Sequence, residues 1–546
     1  MQGRLTFRAR WVWIALSAIF LPIVVLAIVE GSLRLAGVGY PRALLTPCTV
    51  QGKPASCYNL FFAAPFFPAG SVQTPRLYSI PSQKPPGTYR IFVLGESAAM
   101  GDPDPAYGFS RYLEVMLRER FPAIKFEVVN TGSVAINSHV VLRIAKQLAE
   151  QRPDLFIIYS GNNEVVGPYG PGTVLTSSGM SIPVIRSSIF LRSTRIGQLV
   201  TRLGAQKKTW QGMEMFLDKQ VRANSPLMQQ VYANYERNLR DTIAVGRAAG
   251  AQVIVATAAT NVEDCAPFAS LHREGLKEAE LKEWSSLVQQ GTEFEAVQSF
   301  REALNLYQSA AKIDRDYAEL EFRIARCLQN LGDVKSAKEH FQRARDLDTL
   351  RFRADTRIND INRFVPAAYS GVALVDTESL FSNASRDGIV GSDLVYEHVH
   401  MTPLGSYLFA RAIYGQVAGK LANGPVADAP SETECERMLA LTAFDRSRIA
   451  QEMLRRIQRA PFIQQLNHAE QVLRFQLQAE SMSETPNDTA LQYQWAIARA
   501  PQDAMLRYNF GMFLFAYNRA AAAEQLAMAQ PWDGFPVFLP DGTQIR

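Results

Sequence analysis

Ser97 stands two residues past the end of an apolar run, in "YRIFVLGESAAMGDP" (89–103). A serine at the tip of a strand can act as a nucleophile toward an acyl carbon. Serine is equally a preferred cap for the start of a helix, and this segment read alone leaves both roles open. Gly132, Asn163 and Asn261 also fall just beyond apolar runs. These positions gain meaning together, because ligands and reacting groups gather outside the carboxyl ends of strands in open α/β sheets. Of the five cysteines, Cys48 and Cys57 bracket the short loop "CTVQGKPASC", a spacing that suits a local disulfide. Cys265, Cys327 and Cys435 are isolated and lack the spacing of a zinc site.

Five segments can position such residues: "YRIFVLG" (89–95), "KFEVVN" (125–130), "DLFIIYSG" (154–161), "AQVIVATA" (251–258) and "GVALVD" (371–376). Continuous apolar runs of this length suit strands buried on both faces. Helical periods lie between them, as in "FSRYLEVMLRERF" and "SHVVLRIAKQLAEQR". The alternation predicts an α/β fold with a doubly wound, five-stranded parallel sheet. The interval between the last two strands is too long for a crossover and is helical in period. Ala325, Gly332, Ala337, Phe341 and Ala344 take the small and aromatic positions of a tetratricopeptide unit. The expected organisation is a basic tip and anchor over 1–36 and a Pro- and aromatic-rich arm over 37–87. The core follows over 88–265, with a cap loop at about 165–245. A tetratricopeptide-like insertion occupies 266–352, the core resumes over 353–425, and a helical, repeat-like region fills 426–546.

Taken in order, Gly95-Glu96-Ser97, Gly132, Gly161-x-Asn163 and His400 in "YEHVHMTPLG" resemble the SGNH (GDSL-type) hydrolase superfamily, whose four blocks supply Ser, Gly, Asn and His. The resemblance covers about residues 88–265 and 355–420 and implies a flavodoxin-like core. It implies that Ser97 attacks an ester carbonyl, that His400 is the base, and that Glu397 orients the imidazole. Asp393 is the reserve acid. The oxyanion donors it implies are the backbone N–H groups of Ser97 and Gly132 and the side-chain amide of Asn163. All three acidic positions of the blocks depart from the family by carrying Glu for Asp: Glu96, Glu164 and Glu397.

A formal charge of +5, without a long basic run, excludes a nucleic-acid-binding surface. The uncharged stretch from Trp11 to Val29, behind Arg4, Arg8 and Arg10, predicts a single transmembrane helix. The N-terminus would be cytoplasmic and the catalytic domain extracytoplasmic, periplasmic or extracellular. Arg186, Arg192, Arg195 and Arg202 form a basic helical pattern beyond the third block, and Arg353 or Arg357 returns near the site. His139 reads as a helix-start histidine. The function expected from the resemblance is a membrane-anchored serine esterase or O-acyltransferase on an acylated envelope, carbohydrate-like or lipid substrate, one that needs no metal or organic cofactor. A protein partner would bind the repeats. The alternative is an inactive SGNH scaffold that uses those repeats for protein interaction.

Overall fold

The computed structural model describes residues 7–68, 70–73, 75–204, 209–422, 424–425, 427–480 and 484–545. Helix α1 (Phe7–Leu35) leads into a small antiparallel sheet of β1 (Leu45–Val50), β2 (Lys53–Tyr58) and β3 (Ser79–Pro81). The segment expected to be an extended arm therefore folds. The Cys48–Cys57 disulfide joins its first two strands. Tyr58, Phe62 and Phe66 bury their rings in the main core, so the aromatic content of this stretch is packing surface.

The core strands are β4 (Thr88–Gly95), β5 (Lys125–Asn130), β6 (Leu155–Tyr159), β7 (Gln252–Ala256) and β8 (Val372–Val375). All pair in parallel, in the order β5-β4-β6-β7-β8. Ile91–Leu94 and Leu155–Tyr159 are almost fully enclosed, as expected of strands covered on both faces. Between β4 and β5 run the one-turn α2 (Ser97–Met100) and α3 (Phe109–Arg120); α4 (Ser138–Leu148) precedes β6. The cap segment contains α5 (Ile182–Ser193) and α6 (Arg195–Gly204), and α7 (Pro226–Ala248) leads to β7. The order reverses around β4, so the crevice between β4 and β6 is the topological switch point, where such sheets bind.

Between β7 and β8 stand α8 (Glu278–Ala296), α9 (Phe300–Ile313), α10 (Ala318–Asn330) and α11 (Val334–Leu347), then α12 (Thr356–Ala367). Ala325, Ala337, Phe341 and Ala344 are buried where the repeat helices cross, and Gly332 turns between α10 and α11 at φ 84°. Arg345 ties this module to the core through Glu378 and Thr356, each at 2.8 Å. After β8 come α13 (Thr377–Ala384), α14 (Pro403–Leu421), α15 (Glu432–Leu439), α16 (Ala443–Ile457) and α17 (His468–Glu480), then three further helices. Helices α3 and α14 pack together on one face of the sheet, with Phe109 against Phe409 at 4.5 Å; α4, α7 and α12 cover the other. The C-terminal region folds back onto the segment behind Ser97: Arg448 pairs with Asp104 and Arg111 with Asp503.

The expected transmembrane anchor, and the single-pass placement built on it, are corrected here. Among the described residues no helix is long and apolar enough to cross a membrane. Pro22 lies inside the continuous α1, whose last turns belong to the fold. Glu30 accepts hydrogen bonds from Arg34 at 2.8 Å and from the backbone of Ile196 at 3.1 Å, which docks the helix end on α6. Charge and tertiary contact thus claim the end of the apolar run. Arg4 lies outside the described residues.

Candidate active site

Ser97 opens α2 directly beyond β4, so its N–H is one of the early helical donors that have no partner inside the helix. Glu96, almost fully buried, extends sideways from the same turn. Its carboxylate accepts from the backbone N–H of Gly161 at 3.1 Å and of Asn162 at 2.9 Å. The longer side chain therefore bridges the turn after β4 to the turn after β6. Burial, with the nearby Glu164 charge, pushes the Glu96 carboxyl well up against these donors. Glu164 in turn holds the start of α4, accepting from Ser138 N at 2.8 Å and Ser138 Oγ at 2.7 Å, and burial raises its carboxyl to about 7.

Gly132 lies so close to this turn that a Cβ would meet Met100 N at 2.5 Å and Glu96 O at 2.9 Å, which only glycine avoids. Its N–H is donated to Asn130 Oδ1 at 3.0 Å. Gly161, at φ 130°, takes a backbone conformation that a side chain would strain, and presents Asn163 across the crevice. Asn163 Nδ2 donates one hydrogen to Ile136 O at 3.1 Å and keeps its second.

His400 reaches the same crevice from the loop before α14. Thr402 caps that helix through Gly405 N at 3.1 Å, with Pro403 at the first helical position. Asn261 pins the loop from below, donating Nδ2 to Val395 O at 3.0 Å and its N–H to His398 O at 3.1 Å. His400 Nε2 lies 2.9 Å from Ser97 Oγ, and Nδ1 bonds Glu397 Oε1. Glu397 is fully enclosed. Its other oxygen accepts from the backbone N–H groups of His398 and Val399. Burial alone would raise this carboxyl, but His398 and His400 outweigh it and hold Glu397 well below the usual carboxylate range. An ionised Glu397 only accepts, so the His400 proton sits on Nδ1 and Nε2 is free to accept from Ser97. Glu397, His398 and His400 also offer ligand atoms within 4.8 Å of one another, but that carboxylate is already taken by the His400 imidazole and two backbone donors.

Asp393 is exposed, and its carbonyl accepts from Thr402; Glu397 is the acid on His400. His139 bonds Asn238 at 2.9 Å behind the site, where burial lowers its pKa to about 4. Arg186 pairs with Asp241, Arg192 donates to Pro65 O, and Arg202 lies over Tyr40, so the basic helical pattern holds the cap to the body. Arg353 is buried on Asn261 O, Cys265 O and Asp348, and Arg357 stacks on Tyr232 outside the crevice.

A cavity of about 410 Å³ opens over Ser97, Asn163 and His400. Trp210, Met213, Phe216, Phe352 and Phe462 give it an apolar wall, while Asp102, Glu452, Arg455, Arg456 and Arg459 give it a charged one. Asp102 and Arg456 escaped the sequence analysis, although they are the groups nearest His400 after Ser97 and Glu397. Asp102 Oδ2 is 3.1 Å from Nε2, and Arg456 Nη1 is 3.3 Å from Nδ1. Asp102 lies within the segment quoted for Ser97. The only signal for Arg456 is its place in "RRIQRAP".

An open parallel sheet in the order β5-β4-β6-β7-β8, with Ser97, Gly132, Asn163 and His400 gathered at its switch point, is a doubly wound α/β core. The tetratricopeptide repeat family matches residues 296–353, so the helical module within that core is of tetratricopeptide type. No curated protein matches the chain. Among solved structures it is similar to TesA at 17% identity, with 32% of this chain and 62% of that one covered and a TM-score of 0.18. It is similar to an acetyl xylan esterase at 9% identity, covering 60% and 99%, TM-score 0.26. An α/β hydrolase enzyme from the metagenome of Lake Arreo, Spain, matches at 13% identity, covering 61% and 97%, TM-score 0.30. Likenesses this distant carry no argument here; the chemistry rests on the residues.

Proposed function

We propose that the protein is a serine esterase or O-acyltransferase. The observation that carries this is the Ser97 Oγ to His400 Nε2 contact of 2.9 Å, with Glu397 on the far side of the imidazole. Ser97 Oγ attacks the acyl carbon as Nε2 takes its proton, and Glu397 stabilises the imidazolium. The oxyanion meets the Ser97 N–H and the second hydrogen of Asn163 Nδ2. Gly132 joins this cradle by exchanging its Asn130 partner; its standing contribution is the close approach that lets the turns meet. The proton then passes to the leaving alcohol. Water or a second alcohol opens the acyl-enzyme, giving hydrolysis or transfer. The aromatic wall suits an apolar acyl group, and the tetratricopeptide-type helices are the proposed seat of a protein partner.

The test is labelling of the full chain by a fluorophosphonate, together with turnover of short-chain aryl esters. Wild type is expected to label and turn over, and Ser97→Ala to do neither. Folded wild-type protein inert to both probes would refute the enzyme and leave the inactive scaffold.

A further inference from the structure

In the reaction proposed above, His400 must hand its proton to the leaving oxygen, so the alcohol half of the ester lies on the Nε2 side of the imidazole. On that side stands Asp102, five residues after the nucleophile, whose own N–H donates to Ser97 O at 3.2 Å. Asp102 Oδ2 is 3.1 Å from Nε2, beside Ser97 Oγ, and can accept from the imidazole only once Nε2 has taken the serine proton. Arg456 clamps the carboxylate at two points, Nη1 to Oδ2 at 2.5 Å and Nη2 to Oδ1 at 3.1 Å. Burial, which by itself raises the Asp102 carboxyl, is outweighed by Arg456 and His400, and the group sits below its ordinary range. Such a carboxylate is a weak base and a strong hydrogen-bond acceptor. It retains 16% side-chain exposure and lines the cavity, so a ligand can reach it.

From this geometry we infer that Asp102 is a catalytic residue of the alcohol side, and that this side takes a polyhydroxylated alcohol. One hydroxyl of the acceptor sits on Nε2 while its neighbour donates to Asp102, because the separation of Nε2 from Oδ2 matches that of hydroxyls on adjacent carbons. During transfer the attacking oxygen bonds to the acyl carbon, its proton goes to Nε2, the Ser97 Oγ–carbon bond breaks, and Nε2 returns the proton to Oγ. Asp102 gains and loses no proton; it holds the acceptor in line. Arg455, Arg459 and Glu452 extend the same polar wall, opposite the aromatic one. The inference rests on the Ser97–His400 reading and deepens it.

The experiment uses the full chain, p-nitrophenyl acetate and two acceptors, glycerol and ethanol, with the ratio of acetyl ester to acetate measured for each. An aryl leaving group departs without a proton, so acylation reports the Ser97–His400–Glu397 machinery and the oxyanion donors without calling on Asp102. Asp102→Asn is expected to keep the acylation burst within about threefold while slowing deacylation about 10–100-fold. It is also expected to erase the wild-type preference for glycerol over ethanol. Arg456→Lys, which keeps the charge but loses the two-point clamp, shifts the same ratio by less. The inference is overturned if wild type shows no glycerol preference, or if Asp102→Asn keeps it. It is also overturned if both variants lose the burst and fluorophosphonate labelling together, since Asp102 would then only hold the site's shape. A burst that survives in Ser97→Ala sinks the underlying mechanism instead, and the two failures are distinct.

Discussion

Replacing Glu397 by glutamine tests the orientation of the imidazole through a conflict the structure makes unavoidable. One carboxylate oxygen accepts from His400 Nδ1; the other accepts from the backbone N–H groups of His398 and Val399. An amide has one oxygen, so it satisfies only one side. If the oxygen faces His400, the new NH2 meets two buried backbone donors, and each unmatched N–H costs about 1–3 kcal/mol. The flipped amide is therefore favoured by at least about 2 kcal/mol, a factor of about 30. Flipped, it donates to Nδ1 and drives the proton to Nε2, where it blocks the transfer from Ser97. The wrong tautomer and the lost imidazolium stabilisation together should lower kcat about 10³–10⁴-fold, a barrier increase of about 4–5.5 kcal/mol. KM should hardly move, because no wall of the cavity changes. The assay is steady-state turnover of an aryl acetate from pH 6 to 10, with fluorophosphonate labelling rates beside it. Asp393→Asn, at an exposed position with no bond to His400, should match wild type. Glu397→Gln activity within tenfold of wild type, or an inactive Asp393→Asn, would refute the tautomer argument.

Two further outcomes are expected. Gly132→Ala drives a Cβ into backbone atoms of Met100 and Glu96, a clash costing about 1–3 kcal/mol; calorimetry should show a lower Tm and labelling of Ser97 should slow. Glu164→Gln tests the buried carboxyl raised to about 7. A native group that holds its proton more tightly than the unfolded chain stabilises the fold at low pH, and that advantage fades as pH rises from about 4.5 through 7. Stability of the glutamine variant relative to wild type should thus grow with pH, by about 3 kcal/mol between pH 4.5 and 8, in urea unfolding. A difference that stays flat with pH would contradict the assignment.

The sheet was legible because each core strand is a short, continuous apolar run, a signal carried by neighbouring residues. The Ser97, Gly132, Asn163 and His400 blocks were legible for the same reason, each being a local pattern behind a strand or before a helix. The charged wall was not. Arg456 belongs to an amphipathic helix whose sequence says only that one face is wet, and its contact with Asp102 spans 354 positions. Phe352 is the last residue of the segment expected to be the repeat insertion, 266–352. It lines the cavity because Ala354 N donates to Asn162 Oδ1 at 3.0 Å, a bond no local pattern announces. The three Glu-for-Asp changes were visible but mute until the distances showed what the extra methylene does. At Glu96 it carries a carboxylate across the crevice, and at Glu397 it lets one group serve an imidazole and two backbone donors. At the N-terminus, apolarity alone suggested a membrane span, and sequence could not show that Glu30 would be taken by α6.

The scattered origin of the charged wall also sets a timetable. Ser97 and His400 are 303 positions apart, and Arg456 follows His400 by 56 more. At about 5–20 residues per second, a ribosome needs about 15–60 s to go from the serine to its histidine, and several seconds more to reach the arginine that restrains Asp102. Under the proposed mechanism, the turn bearing Ser97 exists throughout that interval without a base. A nascent chain is therefore chemically silent, and an unfinished one released early would be a protein with a nearly complete sheet and an inert hydroxyl.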